Sequence, residues 1–280
     1  MIGLYSYRTN NIGDDFQSYV LARYLGEKAA FVWRDGAANY KGEVTDLIVN
    51  GFVTREALPI HESVRPLFLA GWFDPMLLSD SDKVAFLSSH EPIGCRDTDS
   101  LERCRAAGLQ SSFTGCPTIL CEPIEEEVPG SILMVDVDPR LFQSGNPHYR
   151  VQTQIAGSVQ WGTNVVDFTL SQEERVRECA RRHRWMSRAE LVITSRIHIA
   201  LPALGMGKAV IFVQDHITIE GRLTALPPQV RQVLPDACPE LSLDPEKHRY
   251  DIREYREHVK RTIEERCGHL RKDKMGNHIF

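Results

Sequence analysis

Leu191-Val-Ile-Thr-Ser-Arg-Ile-His198-Ile-Ala-Leu-Pro-Ala-Leu204 is the stretch on which the reading of this chain turns. Its first four residues are a short β-branched run and predict a buried strand over 191–194. The segment then delivers Thr194, Ser195, Arg196 and His198 into a turn, after which apolar residues resume as a helix over 199–206. A fixed cation, two hydroxyls, an imidazole and free helix N–H groups within a few residues suit a bound carboxylate or phosphate. Open α/β sheets bind their ligands at such strand exits.

Working outward, strand and helix patterns alternate. Residues 2–7 read as a strand, and 14–25 as a helix with Phe16, Val20 and Tyr24 on one stripe. Further strands are expected at 47–50, 67–70, 84–87, 94–96 and 112–114, with a helix over 99–108 that ends on glycine. Pro117, Pro123 and Pro129, with the acidic run 125–127, interrupt the alternation and suggest a linker. Beyond it, strands are expected at 132–137, 165–168, 191–194 and 209–213, with helices at 172–187 and 199–206. A charged terminal helix over 250–270 should pack by one face. This β-α-β alternation in two halves predicts an α/β fold of two Rossmann-like domains facing a cleft, 1–122 and 123–280. The second half shows fewer clear strands and reads as abbreviated.

With 280 residues the chain is long enough for that arrangement, and its composition, 42% hydrophobic and 25% charged, is that of a globular protein. The net charge of −5 argues against general affinity for nucleic acid. No apolar run reaches the roughly 18 residues of a spanning helix, and the first residues carry no signal-peptide pattern. Seven scattered cysteines without a C-x-x-C pair suggest reduced thiols and a cytoplasmic setting.

Five segments are candidates for carrying chemistry. Asn10-Asn-Ile-Gly-Asp-Asp15 joins the first strand to the first helix. There Gly13 permits close backbone approach, and Asn11 or Asp14 could either cap the helix or serve a ligand. Arg96, in Pro92-Ile-Gly-Cys-Arg-Asp97, reads either as an anion clamp or as one half of a salt bridge. Cys116 reads as an inert thiol, since nothing nearby in sequence would lower its pKa. An imidazole ordinarily titrates near neutrality, so His198, beside Ser195 and Arg196, is the best candidate for acid–base work. Asp136-Val-Asp138 has the form of an Asp-x-Asp metal motif, yet strand alternation alone produces it. No group of residues has metal-ligand spacing, so no metal is expected.

Taken together, Asn11-Ile-Gly-Asp14, Gly94-Cys-Arg-Asp97 and Ala189-Glu-Leu-Val-Ile-Thr-Ser-Arg-Ile-His198, followed by the strand Lys208-Ala-Val-Ile-Phe-Val213, resemble the polysaccharide pyruvyl transferase family. The matching pieces span residues 8–215. The resemblance implies a fold like that of GT-B glycosyltransferases and transfer of a pyruvyl group from phosphoenolpyruvate to sugar hydroxyls as a ketal. It implies phosphoenolpyruvate and a saccharide acceptor as partners, with no separate cofactor. Arg96 and Arg196, with Ser195, Asn11 and Gly13, would then surround the donor. His198 and Asp14 would be its acid and base, in either assignment. Gly115-Cys-Pro117 departs from the Asp-Pro that many members show at this strand exit. Two other readings remain open: a GT-B glycosyltransferase using a nucleotide sugar, and a non-catalytic saccharide- or anion-binding relative.

Overall fold

A computed structural model describes residues 1–26, 29–44, 46–138, 158–214, 220–234 and 242–270. Two parallel sheets organise them. The first contains β1 (Ile2–Ser6), β2 (Ala30–Trp33), β3 (Asp46–Val53), β4 (Arg65–Phe73), β5 (Ile93–Cys95) and β6 (Ser111–Phe113), in the order β2-β1-β3-β4-β5-β6. The second contains β7 (Ile132–Val135), β8 (Val159–Gly162), β9 (Leu191–Thr194), β10 (Ala209–Val213) and β11 (Gln232–Val233), in the order β11-β10-β9-β7-β8. The expected α/β class with two Rossmann-like sheets is therefore what the chain forms. Strands buried on both faces read as unbroken apolar runs, which is why β9 and β10 were plain in the sequence.

In each sheet the chain starts in the interior, adds a strand on one side, then crosses to the other. The switch points fall between β1 and β3 and between β7 and β9. At such a point neighbouring crossovers diverge and leave an opening at the carboxyl ends of the strands. Asn11–Asp15 leaves β1 at the first switch point. Asp136 and Ser195–His198 leave β7 and β9 at the second.

The helices are α1 (Gly13–Leu25), α2 (Pro75–Leu78), α3 (Ser81–Ser88), α4 (Thr98–Ala106), α5 (Gln172–Arg188), α6 (Ile197–Gly205), α7 (Glu220–Leu223) and α8 (Arg253–Cys267). Ser171 and Glu174 form a reciprocal capping box that starts α5. In α8, Val259, Ile263 and Cys267 recur every four residues and form its buried face. One apolar core joins both halves: Leu4, Phe16 and Leu21 belong to the same buried cluster as Val135, Val192 and Phe212. A buried ion pair crosses the same boundary, from Arg175 on α5 to Asp15 on α1, at 2.8 Å.

Two expected strands are not strands. Residues 84–87 lie inside α3, because Asp80 caps that helix by accepting from the N–H groups of Asp82 and Lys83. Residues 165–168 make only an isolated bridge, Val165 to Asn11, and Phe168 is exposed. The strand that flanks β7 on the side away from β9 is β8. The helix expected from residue 199 begins at Ile197, so His198 lies in its first turn. Among the described residues no helix is long and apolar enough to cross a membrane.

Candidate functional site

The loop after β1 is bound to the loop after β8. Asn164 donates its side-chain N–H to Asn11 Oδ1 at 3.1 Å, and its carbonyl accepts from Ile12 at 3.1 Å. Asn11 Oδ1 also accepts the N–H of Gly13 at 3.0 Å, which starts α1. Asn11 thus braces the loops against each other. Gly13 is needed for a separate reason: a Cβ there would overlap His198 Nδ1 and lie 2.9 Å from His198 Cβ.

Neither aspartate after Gly13 caps the helix. Asp15 accepts from Tyr7 N–H at 3.1 Å and pairs with Arg175, a structural role. Burial nonetheless pushes its carboxyl up to about 6. Asp14 accepts from Gln17 Nε2 at 3.1 Å and turns its Oδ1 toward Arg96 at 3.8 Å and His198 at 3.9 Å. Arg96 Nη1 donates to His198 Nε2 at 3.2 Å. Asp14 from the first turn of α1, Arg96 from the loop after β5 and His198 from the first turn of α6 therefore meet in one buried cluster drawn from both halves.

Its electrostatics follow from that burial. Desolvation, helped by Arg96 and Arg222, holds His198 down to about 3, with Asp14 opposing. The imidazole is neutral. Burial lowers and Asp97 raises the Arg96 guanidinium, and the balance lies on the raised side. Asp97 caps α4 through Ser100 N–H at 2.8 Å and stands 3.5 Å from Arg96 Nε. Neither Arg96 Nε nor Asp97 Oδ2 has a hydrogen-bond partner.

Arg196 and Ser195 are placed differently. Arg196 Nε donates to Asp136 Oδ2 at 2.8 Å, and its side chain is 43% exposed, at the rim. Ser195 Oγ donates to the carbonyl of Asp136 at 2.7 Å. Asp136 also accepts from Asn164 N–H and has a φ of 50°, unusual for a residue with a side chain. Its carboxylate is thus engaged by Arg196 and the backbone. Among the described residues no three His, Cys, Asp or Glu side chains are grouped to hold a metal. Cys116 is buried and its thiol pushed up by burial, in keeping with an inert role.

One cation here was not picked out in the sequence. Arg222, on α7, shares the electrostatic field of Arg96, Asp14 and Asp97, but no motif marks Glu220-Gly-Arg-Leu223. A cavity of about 470 Å³ lies elsewhere, between α5 and the β7–β8 edge, lined by Trp185, Arg181, Arg184 and Arg188 among others. Asp14, Arg96 and His198 are not among its lining residues.

No protein-family profile matches this chain, and no curated protein does. Several solved structures are similar to it. A functionally uncharacterised protein from Klebsiella pneumoniae aligns over 77% of this chain and 84% of its own at 13% identity and a TM-score of 0.41. The wall teichoic acid polymerase TagF, in a substituted form soaked with CDPG, aligns over 95% of this chain and 84% of its own at 13% identity and a TM-score of 0.43. A second substituted form of TagF gives 10% identity and a TM-score of 0.42 over the same shares. The comparisons assign the chain to no family, and what they report is a distant likeness of shape.

Proposed function

We propose that this chain is a ketal-forming pyruvyl transferase, taking the pyruvyl group of phosphoenolpyruvate to two hydroxyls of a glycan or glycan precursor. The observation that carries the reading is the meeting of Asp14, Arg96 and His198 within 3.9 Å, each from one of the segments that resemble the pyruvyl transferases. Arg96 is the internal anion clamp, Arg196 a rim cation, and the first N–H groups of α6 complete an electropositive wall.

The chemistry needs a proton at the methylene carbon of the donor, which leaves positive charge at the ketal carbon. A sugar hydroxyl attacks there and gives up its proton, phosphate leaves, and a second hydroxyl closes the ketal. Of the two hydroxyl protons, one is balanced by the new methyl group and the other leaves on the phosphate. Asp14 receives the hydroxyl proton and His198 supplies the methylene proton. Free His198 is neutral, so the donor itself must charge it. A phosphate and a carboxylate beside the imidazole favour its protonated form and draw the Arg96 guanidinium toward themselves.

Two measurements test this. Phosphoenolpyruvate at 100 times its Kd should stabilise the protein by about 2.7 kcal/mol in thermal denaturation, and nucleotide sugars should not. Calorimetry in buffers of different ionisation enthalpy should show net proton uptake on donor binding. Stabilisation by nucleotide sugars alone would move the assignment to a glycosyltransferase.

A further inference from the structure

Arg222 is held beside the acid–base cluster by stacking. Its guanidinium lies 4.3 Å from the ring centroid of Trp72 and 5.5 Å from that of Phe52. Trp72 is itself fixed by Arg103, 4.9 Å from the same ring, and Arg103 is tied to Asp99 at 2.5 Å and to the Phe73 carbonyl at 2.9 Å. The helix that carries Arg222 is docked on the start of α4. Thr224 Oγ1 accepts the N–H groups of Thr98 and Asp99, and a Cβ on Gly221 would run into the Asp99 carboxylate.

Among the described residues no carboxylate forms a salt bridge with Arg222; Asp14 and Asp97 reach it only through their field. Arg34, Arg103, Arg175, Arg182 and Arg196 are each held by one. Among the described residues Arg222 has stacking partners only, and its Nε is buried with no acceptor. Arg96, 3% exposed, also has an Nε without an acceptor. Burial and the charge of Arg96 both depress Arg222, and Arg222 in turn helps to depress His198. Arg96 and Arg222 lie in one another's field; Asp14 and Asp97, 3.8 Å and 3.5 Å from Arg96, offset part of that repulsion, and a dianion between the two forks would offset the rest. A phosphate dianion, with three oxygens to share between two planar forks, is the group that suits both.

We propose that Arg222 and Arg96 jointly hold a phosphate monoester dianion, Arg222 reaching it from the second half of the chain. The identity of that ester as phosphoenolpyruvate rests on the function proposed above; the phosphate contact does not. Trp72 is then a positioning residue, which keeps the Arg222 fork in place without neutralising it.

Calorimetric titration of the full chain with phosphoenolpyruvate, inorganic phosphate and pyruvate tests the proposal on wild type, Arg222→Gln and Arg222→Lys. The expected result is a roughly ten- to hundredfold loss of affinity for phosphoenolpyruvate and phosphate in Arg222→Gln. A smaller loss is expected in Arg222→Lys, pyruvate affinity should be the same in all three, and melting temperatures should stay near wild type. Unchanged phosphate affinity in Arg222→Gln overturns the proposal and leaves the donor reading standing. Arg222-dependent phosphate binding with phosphoenolpyruvate no tighter than phosphate overturns the donor reading and leaves Arg222 in place. Wild type that binds neither overturns both. If Arg222→Gln loses binding only by melting lower, and Arg222→Lys binds as wild type does, Arg222 is structural and the proposal fails.

Discussion

His198 Nε2 accepts a hydrogen bond from Arg96 Nη1 at 3.2 Å across the boundary between the two sheets. A guanidinium has no acceptor, so the imidazole offers its lone pair at Nε2 and keeps its proton on Nδ1. Nδ1 is the atom 3.9 Å from Asp14 Oδ1. One half of the chain thus sets the tautomer of a group carried by the other.

Replacing His198 with Gln retains hydrogen bonding and removes the titrating group. Under the function proposed above, turnover with phosphoenolpyruvate and a saccharide acceptor should fall ~10²- to 10⁴-fold, while donor affinity changes far less. Near-normal turnover in a folded His198→Gln protein would refute the acid–base role.

Gly13→Ala places a methyl against His198. Helix propensity alone would favour alanine there, so any loss comes from overlap. We expect a destabilisation of about 1–3 kcal/mol, measured by urea unfolding, together with loss of turnover as the imidazole is pushed from Arg96. A variant as stable and active as wild type would show that the approach is not constraining.

Asp14 and Asp15 should separate cleanly. Asp15→Asn leaves the Arg175 charge buried without its partner, which costs roughly 3–5 kcal/mol. Asp14→Asn, whose main contacts are polar and whose side chain is 11% exposed, should fold near wild type and lose turnover. Equal destabilisation by both substitutions would argue against the division of roles.

Stability should fall on acidification below about pH 6.5. His183, buried between Tyr19 and the Glu122 carbonyl, is held down to about 4, and His198 to about 3. Between those values and 6.5 the unfolded chain binds more protons than the folded one, so stability is complete above 6.5 and lost as pH falls. Asp15, pushed up to about 6 from 3.8, acts in the opposite sense over that narrower range and offsets one of the two histidines. The net loss from pH 7 to pH 5 is on the order of 2 kcal/mol. His183→Gln should remove most of that slope in thermal melts. A slope unchanged by this substitution would rule out His183 as its source.

The sequence made the sheet strands legible where burial on both faces imposed continuous apolar runs, as in β9 and β10. It misled where a short apolar group was helical. Residues 84–87 carry strand-like side chains, but Asp80 caps the turn before them, and that local hydrogen bond outweighs β propensity. Strand β2 was missed because Ala30–Trp33 is only partly buried and has no alternation. At the site, Asp14, Arg96 and His198 were legible because they leave strand ends in recognisable turns. Arg196 and Ser195 stand in the most motif-like segment, yet their nearest partner is Asp136, which no local pattern couples to them. Arg222 was invisible for the opposite reason: stacking on Trp72, 150 residues earlier in the chain, leaves no mark in its own neighbourhood.

The apolar core that runs from Phe16 to Phe212 through both sheets has a consequence for how this protein meets heat. Each half also has a buried cluster of its own, around Phe68 and Phe73 in the first and Ile193 and Ile211 in the second, but unfolding either half would strip the other of the shared cluster, which favours a single transition. The Asp14–Arg96–His198 cluster draws on both halves, so a species with either half unfolded would lose it. Inactivation and unfolding should trace a single sigmoid against temperature, and ligands bound at the cluster should displace the whole curve.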